Sequence, residues 1–153
     1  MNVSKEIEEA LEACIIAGGD SGAVSEDDCT FELFQDTDHE HPAIYPMIAI
    51  TAAPDVPDGQ DTGGVSILRR VACTILVITA TPDDPTRTML VSLYDRMRSA
   101  IDEANEALDT FSSSYLPTGW FCNGVLVQDS AEPYFDEDLQ IFAVGVMVEV
   151  CVA

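Results

Sequence analysis

The sequence predicts a single α+β domain whose sheet has about four mainly antiparallel or mixed strands, arranged as two hairpins and packed by two helices. Two long apolar segments, Arg69–Thr79 and Leu139–Val152, read as strands, and each follows another strand across an acidic turn. One amphipathic segment, Thr86–Leu108, lies between the two hairpins and reads as a helix. With a further helix at the N-terminus, the predicted order is α-β-β-α-β-β over residues 1–153.

Length and charge narrow the class of protein. A chain of 153 residues that is 47% hydrophobic can bury one core without metal or disulfide support. Its 28 acidic and 6 basic residues give a net charge of −22, which disfavours binding to a nucleic-acid backbone. Such acidity suits solubility or a host with high internal salt. It equally suits a surface that something anionic must pass without adhering, and both interpretations need only exposed carboxylates.

The cysteines and the first residues indicate a reducing compartment. The five cysteines are odd in number, form no CxxC pair and stand mostly in apolar runs, so we expect free, packed thiols. The first 18 residues carry four glutamates and no basic stretch, unlike a signal peptide. The longest wholly apolar run, Ile141–Val148, is too short to span a bilayer. We therefore expect a soluble protein, made and kept in the cytoplasm or in a particle assembled there.

The N-terminal third is predicted to be one helix and an acidic arm. Residues 1–18 place apolar side chains at helical spacing, with Ser4 as N-cap and Gly18 as the stop signal. The arm, residues 20–42, has eight acids and no Lys or Arg, but it contains Phe31 and Leu33. We expect it to be irregular, with one short strand at most, and to dock partly on the core.

The first predicted hairpin spans residues 43–79. Its first strand is Ala43–Ala53, with Pro46 at the start or on an edge, and an Asp-, Pro- and Gly-rich turn follows from Pro54 to Gly64. In Arg69–Thr79 both alternating sets of side chains are largely apolar, which implies burial on both faces. Two helices cannot cover both faces of a four-stranded sheet. The sequence therefore predicts a subunit interface on the second face.

The central helix, residues 83–108, opens with Asp83-Asp84-Pro85 and carries a continuous apolar stripe. Arg87 and Arg98 have acids four residues away, which favours surface pairing. A Ser-rich connection, Thr110–Gly119, is expected next. The second hairpin, residues 120–152, then pairs Trp120–Gln128 with Leu139–Val152 around an acidic, aromatic tip.

The sequence carries no pattern typical of a catalytic or metal site. His39 and His41 flank Glu40, yet no further ligand stands at a recognisable spacing, so they are metal candidates without a complete ligand set. The acids around Gly59 miss the register of a calcium loop. Gly-rich phosphate loops, nucleophile elbows and zinc-protease helices are absent from the sequence. We expect a protein that is not an enzyme and has no cofactor.

The layout resembles that of the tail terminator proteins, also called tail completion or minor tail proteins, of long-tailed bacteriophages and related archaeal viruses. The resemblance rests on order and pattern: an N-terminal helix, an acidic stretch ending in Pro42-Ala43-Ile44, an acidic hairpin loop and the strand Arg70–Thr79. Pro82-Asp83-Asp84-Pro85 then opens the long helix, and a hairpin with an acidic tip closes the chain.

The resemblance implies a structural virion protein. Its subunits would form a ring, expected to be hexameric, that caps the tail tube, ends its polymerisation and joins it to the head connector. DNA would pass through the ring without specific binding. The implied partners are other copies of the chain, the tail tube protein and a head connector or neck protein, with no membrane, and the implied location is the virion.

The resemblance also suggests site residues. The subunit or partner contacts it implies are Arg69, Arg70, Tyr134 and Phe135, and the acids of the lumen or ring faces are Asp55, Asp58, Asp61, Glu132, Asp136, Glu137 and Asp138. For the arginines the alternative is pairing within the hairpin, and for the aromatics it is folding back on their own hairpin.

Other functions stay open at this stage. A different phage neck or head-closure protein would use a similar small domain. A cellular acidic module that binds a cation or another ligand would need the segment of His39 and His41, or the Asp-rich turn, to bind an ion. A DNA-mimicking decoy would place carboxylates in rows on one helix or sheet face, whereas here they cluster in turns.

Overall fold

The computed structural model describes residues 2–36, 43–60 and 67–153. Within these ranges the protein is α+β, as the sequence predicts, with three helices and six strands around one sheet. In chain order the elements are α1 (Val3–Ala17), β1 (Thr30–Leu33), β2 (Met47–Ala52), β3 (Val56–Gln60), β4 (Ile67–Ala80), α2 (Thr88–Glu106), α3 (Leu108–Tyr115), β5 (Cys122–Asp136) and β6 (Ile141–Val152). No helix in the described part of the chain is both long and apolar enough to cross a membrane.

The sheet is mixed and has the strand order β1-β2-β4-β6-β5, with β3 also paired to β4. The pairs β2–β4, β3–β4, β4–β6 and β5–β6 are antiparallel, and β1–β2 is parallel. At the centre, β4 and β6 run opposite each other from the pair Arg69–Val152 to the pair Ala80–Ile141. The two hairpins predicted from the sequence therefore lie side by side through their long second strands.

The observed order adds three elements to the predicted α-β-β-α-β-β. β1 lies in the predicted acidic arm, where one short strand was allowed, β3 lies inside the predicted turn, and α3 overlaps the predicted Ser-rich connection. β5 continues through most of the predicted tip, so the turn between β5 and β6 spans only residues 137–140. Pro133 is compatible with β5 because β5 is an edge strand with a register shift between Ala131 and Tyr134.

Helix α3 forms despite its serines because the tertiary structure supports them. Phe111 is buried in the core, and its ring centroid lies 5.6 Å from that of Tyr115. The Ser112 hydroxyl donates to the Leu108 carbonyl at 2.7 Å and accepts the Cys122 backbone N–H at 2.8 Å. Ser112 thus links α3 to the start of β5, a contact that no local propensity encodes.

Helix α1 starts and ends with specific caps. The N-cap is Asn2, whose side chain accepts the Lys5 N–H at 3.1 Å. The predicted cap Ser4 is instead buried and donates to the Ala53 carbonyl at 2.6 Å. Gly18 ends the helix at a positive φ of 82°, where a Cβ atom would lie 2.5 Å from the backbone of Ala23. Glycine is required there on both counts.

The start of α2 is tied to β4 through Asp84. This carboxylate is buried and accepts the Met89 and Leu90 N–H groups, each at 3.0 Å. It also accepts the Thr79 hydroxyl at 3.1 Å. Asp84 therefore accepts the first N–H groups of α2, as an acidic cap would, but the predicted start at Asp83-Asp84-Pro85 is too early, because the helix begins at Thr88 with Arg87 as N-cap and has no acid in its first turn.

The core lies between the three helices and one face of the sheet. In β4 the alternate residues Val71, Cys73, Ile75 and Val77 are buried there. In β6 the predicted stripe is confirmed, because Val144, Val146, Val148, Val150 and Val152 are buried in the same cluster and Phe142 packs against it. Helix contacts come from the predicted apolar positions of α1 and α2, including Ile7, Leu11, Leu93, Met97 and Ile101.

One buried carboxylate joins α1 to the sheet. Glu8 is fully buried, and its Oε1 accepts the Gln35 N–H at 2.7 Å while its Oε2 accepts the Ala52 N–H at 2.8 Å. Gln35 lies just after β1, and Ala52 is the last residue of β2. The sequence alone does not predict this role, because Glu8 stands among the other glutamates of α1.

None of the five cysteines forms a disulfide, and four of them are buried. Burial raises the pKa of Cys14 and Cys73 to about 12, with nearby carboxylates adding to the effect, and raises the pKa of Cys29 and Cys122 to about 11. Cys151 is only half-buried. Because the thiolate is the reactive form, the four buried thiols are held in the inert form at neutral pH.

We therefore expect a thiol-reactive chromogenic reagent at mildly alkaline pH to modify one cysteine quickly, namely Cys151. The other four should react only after the protein is unfolded. The measurement is the time course of chromophore release from the reagent, with and without denaturant. Cys151→Ser is the control and should abolish the fast phase. Two or more fast thiols in the native protein would contradict the described burial.

Candidate subunit interface

Within the described ranges, one face of the sheet carries no helix. Because side chains alternate along a strand, the residues of β4 that point away from the core are Ala72, Thr74, Leu76 and Ile78. The strand register places residues of the neighbouring strands on the same side. We call this surface the outer face and define it as Met47, Ala49 and Thr51 of β2, Ala72, Thr74, Leu76 and Ile78 of β4, Ala143, Gly145, Met147 and Glu149 of β6, and Leu126 of β5.

The outer face is mostly apolar in composition, although Met47, Ala143 and Gly145 are buried within it. Leu76 and Ile78 are half-buried by their neighbours, whereas Met147 is 49% exposed and Leu126 is 43% exposed. A Cβ atom at Gly145 would lie 2.5 Å from both the Ile75 carbonyl oxygen and Leu76 Cδ2, so Leu76 lies directly over the glycine. The apolar area that a partner could cover therefore comes mainly from Met147 and Leu126, together with the exposed parts of Leu76 and Ile78.

The predicted burial of both faces of β4 is met on one face only. The core set is buried, while Thr74, Leu76 and Ile78 stay half-buried and Ala72 is exposed. All three described helices pack on the core side. The apolar outer set therefore has no helical cover within the described part of the chain.

The two ends of the main strand order are poor places for another strand to pair. β5 has three register shifts along its pairing with β6 and contains Pro133. β1 has only four residues, with Glu32 among them. Bulges, proline, short length and charge are the features that block strand addition at sheet edges. Another copy could join this sheet either by pairing a strand with an edge or by packing on a face. The features of these edges favour packing on the face.

Arg69 and Arg70 have acidic partners in their own chain. Arg69 contacts the carboxylate of Asp55, across the connection between β2 and β4. Arg70 lies 3.9 Å from the Glu149 carboxylate of β6. Pairing within the first hairpin was the sequence-based alternative for both arginines. It is observed for Arg69, whereas Arg70 pairs with Glu149 of the second hairpin. A contact of either arginine with a neighbouring subunit stays a prediction.

Tyr134 and Phe135 lie in β5, not at a hairpin tip, and they point to opposite sides. Tyr134 is 54% exposed, lies on the same side as the outer face, and its hydroxyl donates to Asp136 at 3.0 Å. Phe135 is 49% exposed on the core side, and its ring centroid lies 5.4 Å from that of Phe142. Phe135 therefore packs on its own hairpin, and only half of its surface remains available for a partner.

The predicted acids do not form one surface. Asp55 lies beside Arg69, near one end of β4, whereas Asp136, Glu137 and Asp138 lie beyond the opposite end, at the turn into β6. The separation along β4 is roughly 35 Å at about 3.3 Å per residue. The backbones of Asp58 and Glu132 belong to β3 and β5, but their side chains, like the whole of Asp61, lie outside the described residues.

Asp136 organises the acidic turn. Its Oδ1 accepts the Leu139 N–H at 3.0 Å, and its Oδ2 accepts the Tyr134 hydroxyl. The Leu139 N–H and the Tyr134 hydroxyl hold the pKa of Asp136 below its usual range. The same carboxylate raises the pKa of Tyr134. The turn therefore has a defined shape at neutral pH, with Asp136 ionised.

The metal candidates cannot be placed. His39 and His41 lie outside the described residues. Within the described ranges, no group of three or more His, Cys, Asp or Glu side chains is arranged to hold a metal ion.

A scan against protein-family models and a search of curated proteins found no match to this chain.

Proposed function

We propose that this chain is a structural protein, not an enzyme, and that its outer face binds further copies of the chain in a closed ring. Following the resemblance of its layout, we propose that the ring is the tail terminator of a long-tailed virus and contains six subunits. In that role the ring caps the tail tube, ends its polymerisation and joins it to the head connector.

The outer face is the observation that supports this proposal most strongly. It combines half-buried Leu76 and Ile78 with exposed Met147 and Leu126, while all three described helices cover the opposite side. Burying exposed apolar side chains between subunits contributes about 25 cal/mol per Å² removed from water. The exposed apolar side chains of the outer face and the unsuitable strand edges both favour association through the face.

The net charge of −22 is compatible with a ring through which DNA passes. Like charges on neighbouring subunits oppose ring closure, and dissolved salt screens that repulsion over a distance of about 10 Å at 0.1 M. Association is therefore expected to strengthen as the salt concentration rises. The acidic turn at one end of β4 is available for the lumen or for a face of the ring.

Light scattering coupled to size exclusion, across a salt series, tests this proposal. The expected result is a species of about six times the chain mass of 16.5 kDa, whose fraction increases with salt. Thermal unfolding at the same salt concentrations is the control, because it separates assembly from a change in folding. A folded protein that stays monomeric at every salt concentration and does not bind tail tubes would contradict the proposal.

A further inference from the structure

A groove opens on the core side of the molecule, away from the outer face. It lies between the first half of α2 and the strands β5 and β6, and its volume is about 530 Å³. Its lining is mainly apolar and includes Leu90, Val91, Tyr94, Pro133 and Val144, with Arg87 among the lining residues. Val91 is exposed, so the groove is open to a ligand from solution.

Arg87 differs from every other cation of the chain. The six Lys and Arg residues all lie in the described ranges, and five of them have a carboxylate within 4.0 Å. Arg87 has none among the described residues, and the pairing with Asp83 predicted from the sequence is absent there. Its guanidinium instead lies 5.5 Å from the centroid of the Phe142 ring. In a chain with 28 acidic residues, this cation is available for a carboxylate from elsewhere.

The turn between β5 and β6 has the complementary chemistry. Leu139 is 63% exposed and follows Glu137 and Asp138, both exposed. The turn is held in shape, because Asp136 accepts the Leu139 N–H and the Gln140 side chain donates to the Glu137 carbonyl at 2.6 Å. A fixed turn that presents one apolar side chain beside two carboxylates can bind with little loss of conformational entropy.

We propose that the groove of one copy binds the acidic turn of a second copy. Leu139 of the turn enters the apolar groove, and a carboxylate of Glu137 or Asp138 pairs with Arg87. The groove lies on the other side of the sheet from the outer face, so this contact is separate from the sheet-face association proposed above. A contact made of one apolar side chain and one ion pair is weak by itself. It gains strength when several such contacts form in one assembly.

The test uses the full-length chain carrying Met147→Asp, which disables the outer face, and measures its self-association by sedimentation equilibrium at one moderate salt concentration. In this background, Arg87→Glu is expected to weaken association about tenfold, because an attraction becomes a repulsion. Lys5→Glu is the matched control, because it makes the same change of charge at an exposed position of α1. It should alter association by less than about twofold.

A second pair of variants tests the apolar half of the contact. Leu139→Ser should weaken association, whereas Ile44→Ser, at another exposed apolar side chain, should not. Adding Glu137→Arg and Asp138→Arg to Arg87→Glu should restore association, because the charges are then exchanged.

Three results would overturn the proposal: a Met147→Asp protein that is monomeric at every concentration, equal effects of Arg87→Glu and Lys5→Glu, or no recovery in the exchanged variant. A different result would separate the two proposals. If Met147→Asp associates as strongly as the natural chain while Arg87→Glu dissociates it, the sheet-face proposal fails and the groove contact stands.

Discussion

Replacing Glu8 with alanine is expected to lower the free energy of unfolding by roughly 3–5 kcal/mol, because two buried backbone N–H groups lose their acceptor. The carboxylate is fully buried and accepts the N–H groups of Gln35 and Ala52. Without it, the Gln35 and Ala52 N–H groups lose their hydrogen bonds to α1, and the bond from Ser4 to the Ala53 carbonyl remains. Urea unfolding followed by circular dichroism measures the difference.

Two further variants make that experiment specific. Glu9→Ala removes a neighbouring glutamate whose contact is an exposed pair with Lys5 at 3.9 Å, and it should cost less than about 0.5 kcal/mol. Glu8→Gln keeps one acceptor oxygen and should lie between the two. Equal stabilities of Glu8→Ala and Glu9→Ala would show that the buried carboxylate does not hold α1 to the sheet.

Val146→Asp is expected to unfold the protein and Met147→Asp to leave it folded, although the two residues are adjacent. Val146 is buried in the core opposite Ile75, so an unpaired carboxylate there costs several kcal/mol, comparable with the whole stability of a typical domain. Met147 points to the outer face and is half exposed, so the aspartate remains hydrated. Val146→Asp should therefore be unfolded, while Met147→Asp should stay folded.

Thermal unfolding of the two purified variants measures this contrast. The expected result is no cooperative transition for Val146→Asp and a transition close to that of the natural chain for Met147→Asp. If Val146→Asp unfolded cooperatively and Met147→Asp were unfolded from the start, the two faces of β6 would be assigned the wrong way round.

Local patterns were sufficient to predict the elements with a strong period. The alternation in β4 and β6 and the helical spacing in α1 and α2 each correspond to an observed element. α3 was missed because its stability depends on Phe111 in the core and on the contact of Ser112 with Cys122, which only the tertiary structure supplies. β5 was predicted too short because proline and acids resemble a turn, yet an edge strand tolerates both.

The candidate interface was predictable only in part. The second apolar set of β4, including Leu76 and Ile78, indicated a covered face from sequence alone. Met147 and Leu126 were not recognised, because their position depends on how β5 and β6 pair, and β5 contains three register shifts. Arg70 and Glu149 are far apart in sequence, so their ion pair likewise required the strand register.

The most direct test of the proposed sheet-face association is sedimentation velocity of the natural chain and of Met147→Asp at high salt, where charge repulsion is screened. The prediction is an oligomer for the natural chain, growing with salt, and a folded protein with a much weaker, residual self-association for Met147→Asp. Identical sedimentation of the two proteins at every salt concentration would contradict the assignment of the outer face as the subunit interface.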